Sequence, residues 1–399
     1  MFILIAGVLG AGFIFRNQVE EFVNVDVLGL ERSDEIINPQ FDNGLALHFI
    51  SVGQGDAAVI VFPNGQVMMV DAGHHLRASR NAISEYLGRY IFPGDTPRAI
   101  CLFVATHSHA DHIGQLSYIL DNYYIAHLIR PKSFTTQEIE ANIPYTRFGI
   151  EGNVVRHDTA TFRNAMSRAE NHRCINGSPV RVDVPRAGKE IEIGGAAVRF
   201  YSPTRAFYTA EGINQLSTIF SVNFQGRRIM FTGDAYIVNE NRILEIGADG
   251  RTGFGTLPGE VYRVDILAVS HHGSHTSTGA DFLAKIQPRY SIIQVGAGNS
   301  YNHPHDVVIN RLEAVEGNTI LKTKIEGDIL VQMTAAAMEV AGVIHDEYSF
   351  WIYYWMMAAA VIVVAFSLLL LMDFIPKNSK NKKKNNRNNN SRKKAPARR

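Results

Sequence analysis

The segment HSHADH, at residues 107–112, is the most informative part of the chain for its fold. It puts three imidazoles and a carboxylate directly after an apolar run, and these groups are ligands of zinc and related divalent ions. Core packing does not account for such density, because burying an unpaired histidine or aspartate is costly. In a turn, His107 and His109 can face one ion. Asp111 and His112 can then reach a second ion, so the sequence predicts a metal site at a strand end.

Five apolar, β-rich runs along the chain stop abruptly in Asp, His or Gly, and HSHADH follows one of them. Runs of this length and composition are typical of strands buried on both faces. Because polar clusters at strand ends converge on one edge of a layered α/β core, we expect a single site there. The predicted strands are 67–70, 99–105, 228–231, 265–269 and 291–295, followed by DAG, HSHADH, TGD, SHHGSH and GAGNSYNHPH.

Predicted helices alternate with these strands, which favours the α/β class. An early segment, residues 45–73, indicates local antiparallel pairing with a tight turn at residues 63–65. We expect one domain over residues 41–333, long enough to bury a large core. The predicted helices are 79–90, 113–122, 159–172, 279–286 and 306–316.

These motifs resemble the metallo-β-lactamase superfamily, whose H-x-H-x-D-H signature is matched in full at residues 107–112. Within it, the sequence is most similar to the extracellular hydrolase domain of the ComEC family of DNA-uptake proteins. The resemblance covers about residues 45–330 and implies a four-layer αββα sandwich. It rests on motifs that occur in the same order as in that family, namely VGQGDA (52–57), DAG (71–73), HSHADHIG (107–114), FTGD (231–234), SHHGS (270–274) and NSYNHP (299–304).

The resemblance also implies two divalent ions and assigns residues to them. It implies that Asp71 orients a ligand histidine, and that one residue of the His271-His272 pair is a ligand without saying which one. The other implied ligands are His107 and His109 for the first ion, Asp111 and His112 for the second, and Asp234 as the bridge.

One position departs from the family pattern. The usual third histidine of the first ion is missing, since residues 201–231 contain no histidine. Asn214 and Thr204 are polar residues that could replace it. Zinc is the expected metal and manganese the alternative.

Further residues near the strand ends are predicted to act in the reaction. Asp111 is expected to be catalytic as well as a ligand, and His303, which precedes Pro304, is expected to contact substrate or transfer a proton. Asn214, His275 and Asn299 are predicted substrate contacts.

The remaining histidines carry weaker predictions. His74 and His75 follow the DAG turn and could face the cleft. VGQGDA lacks the lysine of a phosphate-binding loop, so no nucleotide cofactor is expected. The isolated histidines are interpreted as surface or satisfied core residues, namely His48, His127, His157, His172 and His345.

Charge and hydropathy divide the chain into a body and two ends. With 46% hydrophobic and 19% charged residues, the chain is neither a disordered nor a polytopic membrane protein. Residues 348–372 are free of charge, begin with aromatics and are long enough to span a bilayer. Residues 373–399 follow with eleven Lys/Arg and one Asp, which predicts a cytoplasmic tail and an extracytoplasmic hydrolase domain. Residues 1–15 are predicted to be a signal anchor or signal peptide, and residues 16–40 a linker.

Two divalent ions activate water for hydrolysis of esters, amides or phosphodiesters, so the surroundings must select the substrate. The aromatic and basic segment 132–188 is expected to line or cap the cleft. The first hypothesis is a membrane-anchored phosphodiesterase or nuclease acting on nucleic acid. The second is a cell-envelope phosphodiesterase of the phosphorylcholine-esterase type, which an aromatic pocket would favour over a basic groove. The third is a metal-binding module at the membrane without turnover. The sequence indicates no oligomeric state.

Overall fold

The computed structural model describes residues 44–150, 154–203, 212–244 and 261–343. The predicted segments 1–15, 16–40, 348–372 and 373–399 lie outside this range. Within it the strands are β1 (Leu45–Phe49), β2 (Ala58–Val61), β3 (Val67–Val70), β4 (Ala99–Ile100), β5 (Leu102–Val104), β6 (Tyr124–Ile125), β7 (His127–Ile129), β8 (Ser133–Phe134), β9 (Val155–Arg156), β10 (Arg181–Asp183), β11 (Glu190–Ile193), β12 (Ala196–Phe200), β13 (Phe220–Phe224), β14 (Arg227–Phe231), β15 (Ile266–Ala268), β16 (Tyr290–Ile293), β17 (Thr319–Lys322), β18 (Asp328–Met333) and β19 (Met338–Val343).

The strands form two large sheets. One has eight strands in the order β10-β7-β5-β3-β2-β1-β18-β19, and the other has seven in the order β11 to β17. Strands β3, β5, β7 and β10 run parallel, as do β14 to β17, while the early β1-β2-β3 segment is antiparallel as predicted. The carboxyl ends of the parallel strands therefore meet at one edge of each sheet.

The helices lie between the strands in sequence. A π-helical turn, Leu87–Ile91, continues the first helix. The α-helices are α1 (Arg77–Tyr86), α2 (Ala110–Ile113), α3 (Leu116–Asn122), α4 (Thr136–Glu140), α5 (Ile143–Arg147), α6 (Ala160–Asn171), α7 (Ile237–Leu244), α8 (Ala280–Ile286), α9 (Asp306–Glu313) and α10 (Thr323–Glu326).

Three apolar clusters stack as layers across the fold. Alternate strand residues such as Leu47, Phe220 and Phe231 fill the space between the two sheets, with the last two rings stacked 5.0 Å apart. The opposite face of the first sheet packs on α1, α3 and α6, and that of the second sheet on α7, α8 and α9. The strands are thus buried on both faces, and the predicted αββα sandwich is confirmed.

Several element bounds differ from the predictions. The run 99–105 divides at Cys101, because β4 pairs with β6 whereas β5 pairs with β3 and β7. The predicted helix 113–122 is two helices, since α2 begins inside HSHADH. Strand β19 pairs with β18 along its whole length, so the first sheet extends past the predicted domain end at residue 333.

None of the helices in the described ranges combines the length and the apolar character that a bilayer span requires.

Candidate metal centre

The predicted motifs meet where the two sheets join. Residues 107–112 follow β5, Asp234 follows β14, and the short 3₁₀ turn Ser270–Gly273 follows β15. The Thr218 amide and hydroxyl both donate to the Thr106 carbonyl, at 3.0 and 3.1 Å, and tie the sheets together here. A Cβ on Gly233 would lie 2.9 Å from the Thr106 side chain, so only glycine lets this approach occur.

One group of ligand atoms surrounds Oδ2 of Asp234. The Nε2 atom of His107 lies 3.5 Å from this oxygen and 3.2 Å from Nδ1 of His109. The Nε2 atom of His271 lies 3.6 Å from the same oxygen. In a tetrahedral zinc site with bonds near 2.0–2.1 Å, neighbouring ligand atoms are roughly 3.3 Å apart, so these separations suit an ion.

A second group surrounds the other oxygen of Asp234. Its Oδ1 atom lies 3.0 Å from Nε2 of His112 and 3.8 Å from Nε2 of His272. The His272 nitrogen is also 3.3 Å from Oδ2 of Asp111. The pair His271-His272 thus reaches both sides of Asp234, one residue to each.

The buried atoms of the second group fit a divalent ion. Nε2 of His112, Nε2 of His272 and Oδ1 of Asp234 are buried and lie close to one another, but none of them forms a well-aligned hydrogen bond in the described part of the chain. Buried polar groups are almost always paired, and their unpaired convergence is the arrangement that a cation would complete. The imidazole and carboxylate donors are those of zinc and related metals.

Buried acceptors orient both histidines. Asp71 accepts from the Thr106 amide at 2.8 Å and lies 2.8 Å from Nδ1 of His112, which turns Nε2 toward Asp234. Nδ1 of His272 contacts the Gln294 carbonyl at 2.9 Å. Each Nδ1–H thereby has a fixed acceptor, which sets the tautomer needed to coordinate through Nε2.

The family model of the metallo-beta-lactamase superfamily matches residues 50–296 of this chain. The chain belongs to this superfamily. Membership implies a metal-dependent hydrolase that binds divalent metal.

Two curated relatives confirm the resemblance to the ComEC family. ComE operon protein 3 of Bacillus subtilis is 24% identical over 291 residues, which is 70% of this chain and 32% of the relative. Recombination protein 2 of Haemophilus influenzae is 25% identical over 291 residues, which is 73% of this chain and 29% of the relative. The chain therefore spans about a third of the length of the curated relatives that it matches. Among solved structures, the metallo-beta-lactamase fold protein YhfI from Bacillus subtilis has a TM-score of 0.41 at 9% identity and covers 73% of this chain and 100% of its own.

The charges of this superfamily site reinforce one another. Burial alone would raise the pKa of Asp234, but the imidazoles of His112, His107 and His272 outweigh it and hold the pKa well below its usual range. Burial would lower the pKa of His112, but Asp234 and Asp71 raise it well above normal. The protein's own carboxylates thus favour positive charge at this point, which a bound cation would supply in place of protons.

The two histidines of the SHH turn adopt left-handed backbone conformations. Their φ angles are both 53°, which is uncommon for residues other than glycine and clusters at functional sites. Nδ1 of His271 lies 3.1 Å from the Thr276 hydroxyl, and its Nε2 lies 3.3 Å from the Asn214 amide nitrogen. Asn214 is buried, and its Oδ1 has no hydrogen-bond partner among the described residues. The structure thus places Asn214 at the site, whereas Thr204 lies outside the described residues.

His303 stands beside both of these histidines. Its ring centroid is 5.6 Å from that of His271 and 6.2 Å from that of His272. Its Nδ1 is buried without a hydrogen-bond partner among the described residues. Burial, followed by His272 and His271, lowers the pKa of His303 to about 4, so the ring is neutral near pH 7. Exposed Tyr301 stacks on it at 5.5 Å.

Asn299 and His275, both predicted to contact substrate, lie in different settings. The Asn299 side chain donates to the carbonyls of Gly296 and His303 and accepts from the His303 amide, at 2.9–3.0 Å. These bonds commit Asn299 to its own loop, so it holds His303 rather than facing substrate. His275 is exposed on the rim, where its ring packs 4.8 Å from His305.

Two residues without a predicted role also reach the site. His157 is predicted to be a surface or satisfied core residue, but its ring lies 5.9 Å from that of His109 and its Nδ1 is 2.6 Å from the Ser108 hydroxyl. Asp56, in the VGQGDA phrase, lies 3.1 Å from Nδ1 of His272. Neither contact has a local sequence signal, although VGQGDA is one of the matching family phrases.

The other histidine predictions have simple outcomes. His48 contacts the Tyr86 hydroxyl at 2.9 Å, His127 contacts Asp183 at 2.9 Å, and Nε2 of His172 accepts from the Ile125 amide at 2.8 Å. These three are satisfied residues, and His345 lies outside the described range.

His74 and His75 stack 4.2 Å apart after the DAG turn. Burial, then His75, lowers the pKa of His74, and Asp111 is close enough to oppose that shift. His74 therefore lies near the second group of ligand atoms.

Proposed function

We propose that this chain is a phosphodiesterase that uses two divalent metal ions to hydrolyse a phosphodiester polymer, with nucleic acid as the first candidate. The observation that carries the proposal is the convergence of imidazole and carboxylate side chains, from the ends of β5 and β15, around the two oxygens of Asp234. Zinc is the proposed metal and manganese the alternative.

We assign three residues to each ion and Asp234 to both. His107, His109 and His271 would hold the first ion, so that His271 takes the role of the histidine missing from residues 201–231. Asp111, His112 and His272 would hold the second. When bound, such a pair of ions lowers the pKa of a water molecule and stabilises charge on the attacking and leaving oxygens.

The chain's own residues supply proton transfer and orientation. His303, which is neutral near pH 7, can hold or release a proton at Nδ1, next to the His271 and His272 rings. Asn299 keeps His303 in place, because its side-chain NH2 donates to the His303 carbonyl and its Oδ1 accepts from the His303 amide. Asn214 presents a buried oxygen beside His271, which can accept a hydrogen bond from substrate or water.

The choice of a phosphodiester rests on the resemblance to the ComEC family and on the names of the relatives, a competence-operon protein and a recombination protein. Two-metal sites are compatible with in-line displacement at phosphorus, because they stabilise both the attacking and the leaving oxygen. The unpartnered Nδ1 of His303 beside the ligand rings favours turnover over a metal-binding module, because a purely structural histidine would have a partner there in the described part of the chain.

The test uses the full-length chain, stripped of metal and reloaded with zinc or manganese. The substrates are single-stranded DNA, double-stranded DNA, bis-(p-nitrophenyl) phosphate and p-nitrophenyl phosphorylcholine. Hydrolysis of DNA and of bis-(p-nitrophenyl) phosphate would support the proposal, and preference for the choline ester would replace it with the envelope-esterase hypothesis. Stoichiometric metal without turnover of any ester would leave the binding-module hypothesis.

We also propose that residues 348–372 anchor the chain in the cell membrane, with the hydrolase domain extracytoplasmic and the basic tail 373–399 in the cytoplasm. The charge-free length, the aromatic start and the basic flank support this orientation. Intact cells carrying a tag at each end would be treated with protease. Loss of a tag placed after residue 399, with protection of the domain, would refute the proposed orientation.

A further inference from the structure

A cavity of about 540 Å³ opens in the segment between HSHADH and TGD. Its polar lining is mostly basic, with Arg147 and Arg186 exposed and Lys189 half-buried. Phe148, the last two residues of β10 and the segment that follows it form the rest of the wall. We call this cavity, lined by Arg147, Phe148, Asp183, Arg186 and Lys189, the basic pocket.

The one carboxylate in the described wall of the basic pocket is already neutralised. Asp183 contacts Nζ of Lys189 at 2.8 Å, the Arg181 guanidinium at 3.0 Å and Nε2 of His127 at 2.9 Å. Arg147 and Arg186 have no carboxylate partner among the described residues, and Arg186 donates one hydrogen bond to the Phe148 carbonyl in the pocket wall. The pocket therefore presents two guanidinium groups whose charge an external anion can balance.

A buried lysine lies close to Arg186. Burial, and then the nearby Arg186, lower the pKa of Lys132 to about 7. Both causes disfavour the charged form of the Lys132 ammonium. An anion bound beside Arg186 would reduce the second of these two causes.

The pocket lies on the same edge as the metal centre. Strands β5, β7 and β10 are parallel neighbours, and the ligand turn follows β5 whereas the pocket wall follows β10. Two strand spacings of about 4.8 Å place the ends of β5 and β10 roughly 10 Å apart. The Ser133 hydroxyl lies 2.7 Å from that of Ser108, and the Ser133 carbonyl accepts from Arg130, whose guanidinium carbon is 5.7 Å from the ring centroid of Phe148 in the pocket wall.

The pocket does not suit a quaternary amine. Such a ligand needs several open aromatic faces. The only aromatic side chain in the described lining is Phe148, which is buried, with the guanidinium carbons of Arg147 and Arg130 lying 5.3 and 5.7 Å from its ring centroid. Paired guanidinium groups are instead suited to phosphate oxygens.

We propose that the basic pocket binds a phosphate group of the polymer whose phosphodiester is hydrolysed at the metal centre. This inference rests on the proposed function, and it makes the substrate a polyanion that extends from the centre to the pocket. Along one strand of a nucleic acid duplex, charges repeat about every 3.4 Å, so a gap of roughly 10 Å corresponds to a few phosphates.

The experiment compares a polymer with a small ester in the full-length chain. The variants are Arg147→Ala, Arg186→Ala and the double variant, and the substrates are a single-stranded oligonucleotide of about ten nucleotides and bis-(p-nitrophenyl) phosphate. We expect the oligonucleotide KM to rise about tenfold relative to that of the small ester, and the salt dependence of log KM to weaken by about 0.7 per lost phosphate contact. Arg147→Lys should retain more of the affinity than Arg147→Ala.

A matched control is Arg168→Ala on α6, which removes one exposed arginine of the same segment that pairs with Asp121 instead. The same variants are combined with Asp111→Asn, and oligonucleotide binding is measured by anisotropy without turnover. If the pocket variants and the control bind the oligonucleotide with equal affinity, the proposal that the basic pocket binds phosphate is refuted. If the chain hydrolyses no phosphodiester, the proposed function is refuted. If the pocket variants still bind the oligonucleotide more weakly than the control does, the phosphate site in the pocket remains supported.

Discussion

Two regions meet at the reactive edge of this protein and are built differently. The ligand loop, residues 270–279, follows β15, and the insert, residues 130–189, follows β7. Each is held by a buried glutamate. Glu240 of α7 accepts the amides of Thr278 and Gly279, both at 2.7 Å, and Glu138 of the insert pairs with Arg130.

The difference lies in where each region leaves polar groups unpaired. In the ligand loop, Nε2 of His272 is buried, has no hydrogen-bond partner among the described residues and points at carboxylates. In the insert, Arg147 and Arg186 are exposed and have no carboxylate partner in the described ranges, and the same holds for Arg156 and Arg173 outside the basic pocket. The ligand loop is therefore suited to hold an ion and the insert to meet an anionic substrate, so catalysis and substrate choice can be altered separately.

The largest expected effect comes from the carboxylate between the two groups of ligands. Asp234→Asn removes the charge that both groups share, and we expect phosphodiester turnover to fall at least about 10³-fold, more than one lost electrostatic donor usually costs. Metal content by mass spectrometry should fall in parallel. Asp281→Asn, the same change at an exposed site on α8, is the control. Full metal content and activity in Asp234→Asn would remove the basis for a dinuclear centre.

A second substitution is expected to destabilise the insert without affecting metal binding by the ligand loop. Arg130→Ala leaves Glu138 buried without its cation and removes stacking on Phe134, whose ring centroid is 4.7 Å from the guanidinium. We expect the free energy of unfolding to fall by about 3 kcal/mol, as for other broken buried pairs. Denaturant titration measures it, and metal content should stay at the wild-type level. A parallel loss of metal would show that the two regions are not separable.

The third effect separates proton transfer from metal binding within the ligand region. His303→Asn removes the ring that can carry a proton, and we expect kcat to fall about 10²-fold. Metal content should be unchanged, because His303 contacts the ligand rings without being assigned to an ion. Added imidazole should restore part of the rate. Loss of metal in this variant would instead make His303 a structural support of the ligands.

Much of this arrangement is predictable because two strong constraints act locally. Strands buried on both faces need continuous apolar runs, so residues 67–70 and 228–231 are recognisable within a residue of their observed bounds. Divalent ions need imidazole and carboxylate ligands, so HSHADH is recognisable from residue type and spacing, whereas the ligand roles in TGD and SHH are predicted through the resemblance to the superfamily.

The features that sequence patterns do not predict depend on contacts between distant residues. His157 reaches Ser108 across 49 positions, and β19 joins the sheet only because β18 offers an edge. Asn299 is polar and near His303, which predicts a substrate contact, but its bonds close its own loop. Only the fold distinguishes a polar side chain that faces a cleft from one that holds a turn.

The smallest expected effect concerns the pH dependence of the two buried glutamates, Glu240 and Glu138, that hold the ligand loop and the insert. Burial raises the pKa of Glu240 to about 7, even though two amides and Arg311 favour its ionised form. For Glu138, Arg130 outweighs burial and lowers the pKa. A carboxyl with a raised native pKa binds more protons when folded, so its contribution to stability is lost as the pH rises from about 4.5 to about 7. The contribution of Glu240 to holding the ligand loop should thus be largely lost by neutral pH, whereas that of Glu138 to the insert should remain.

Glu240→Gln removes this titration. Because glutamine has one acceptor oxygen for two amides, the variant carries a penalty at every pH, but its stability relative to wild type should rise by about 2 kcal/mol between about pH 5 and pH 8. Urea titrations across this range measure the difference, and Glu313→Gln, an exposed glutamate on α9, is the control. A difference that does not change with pH would mean that Glu240 stays ionised, because its two short amide bonds then outweigh burial. Both regions would in that case be anchored by a permanent charge, and pH would not distinguish them.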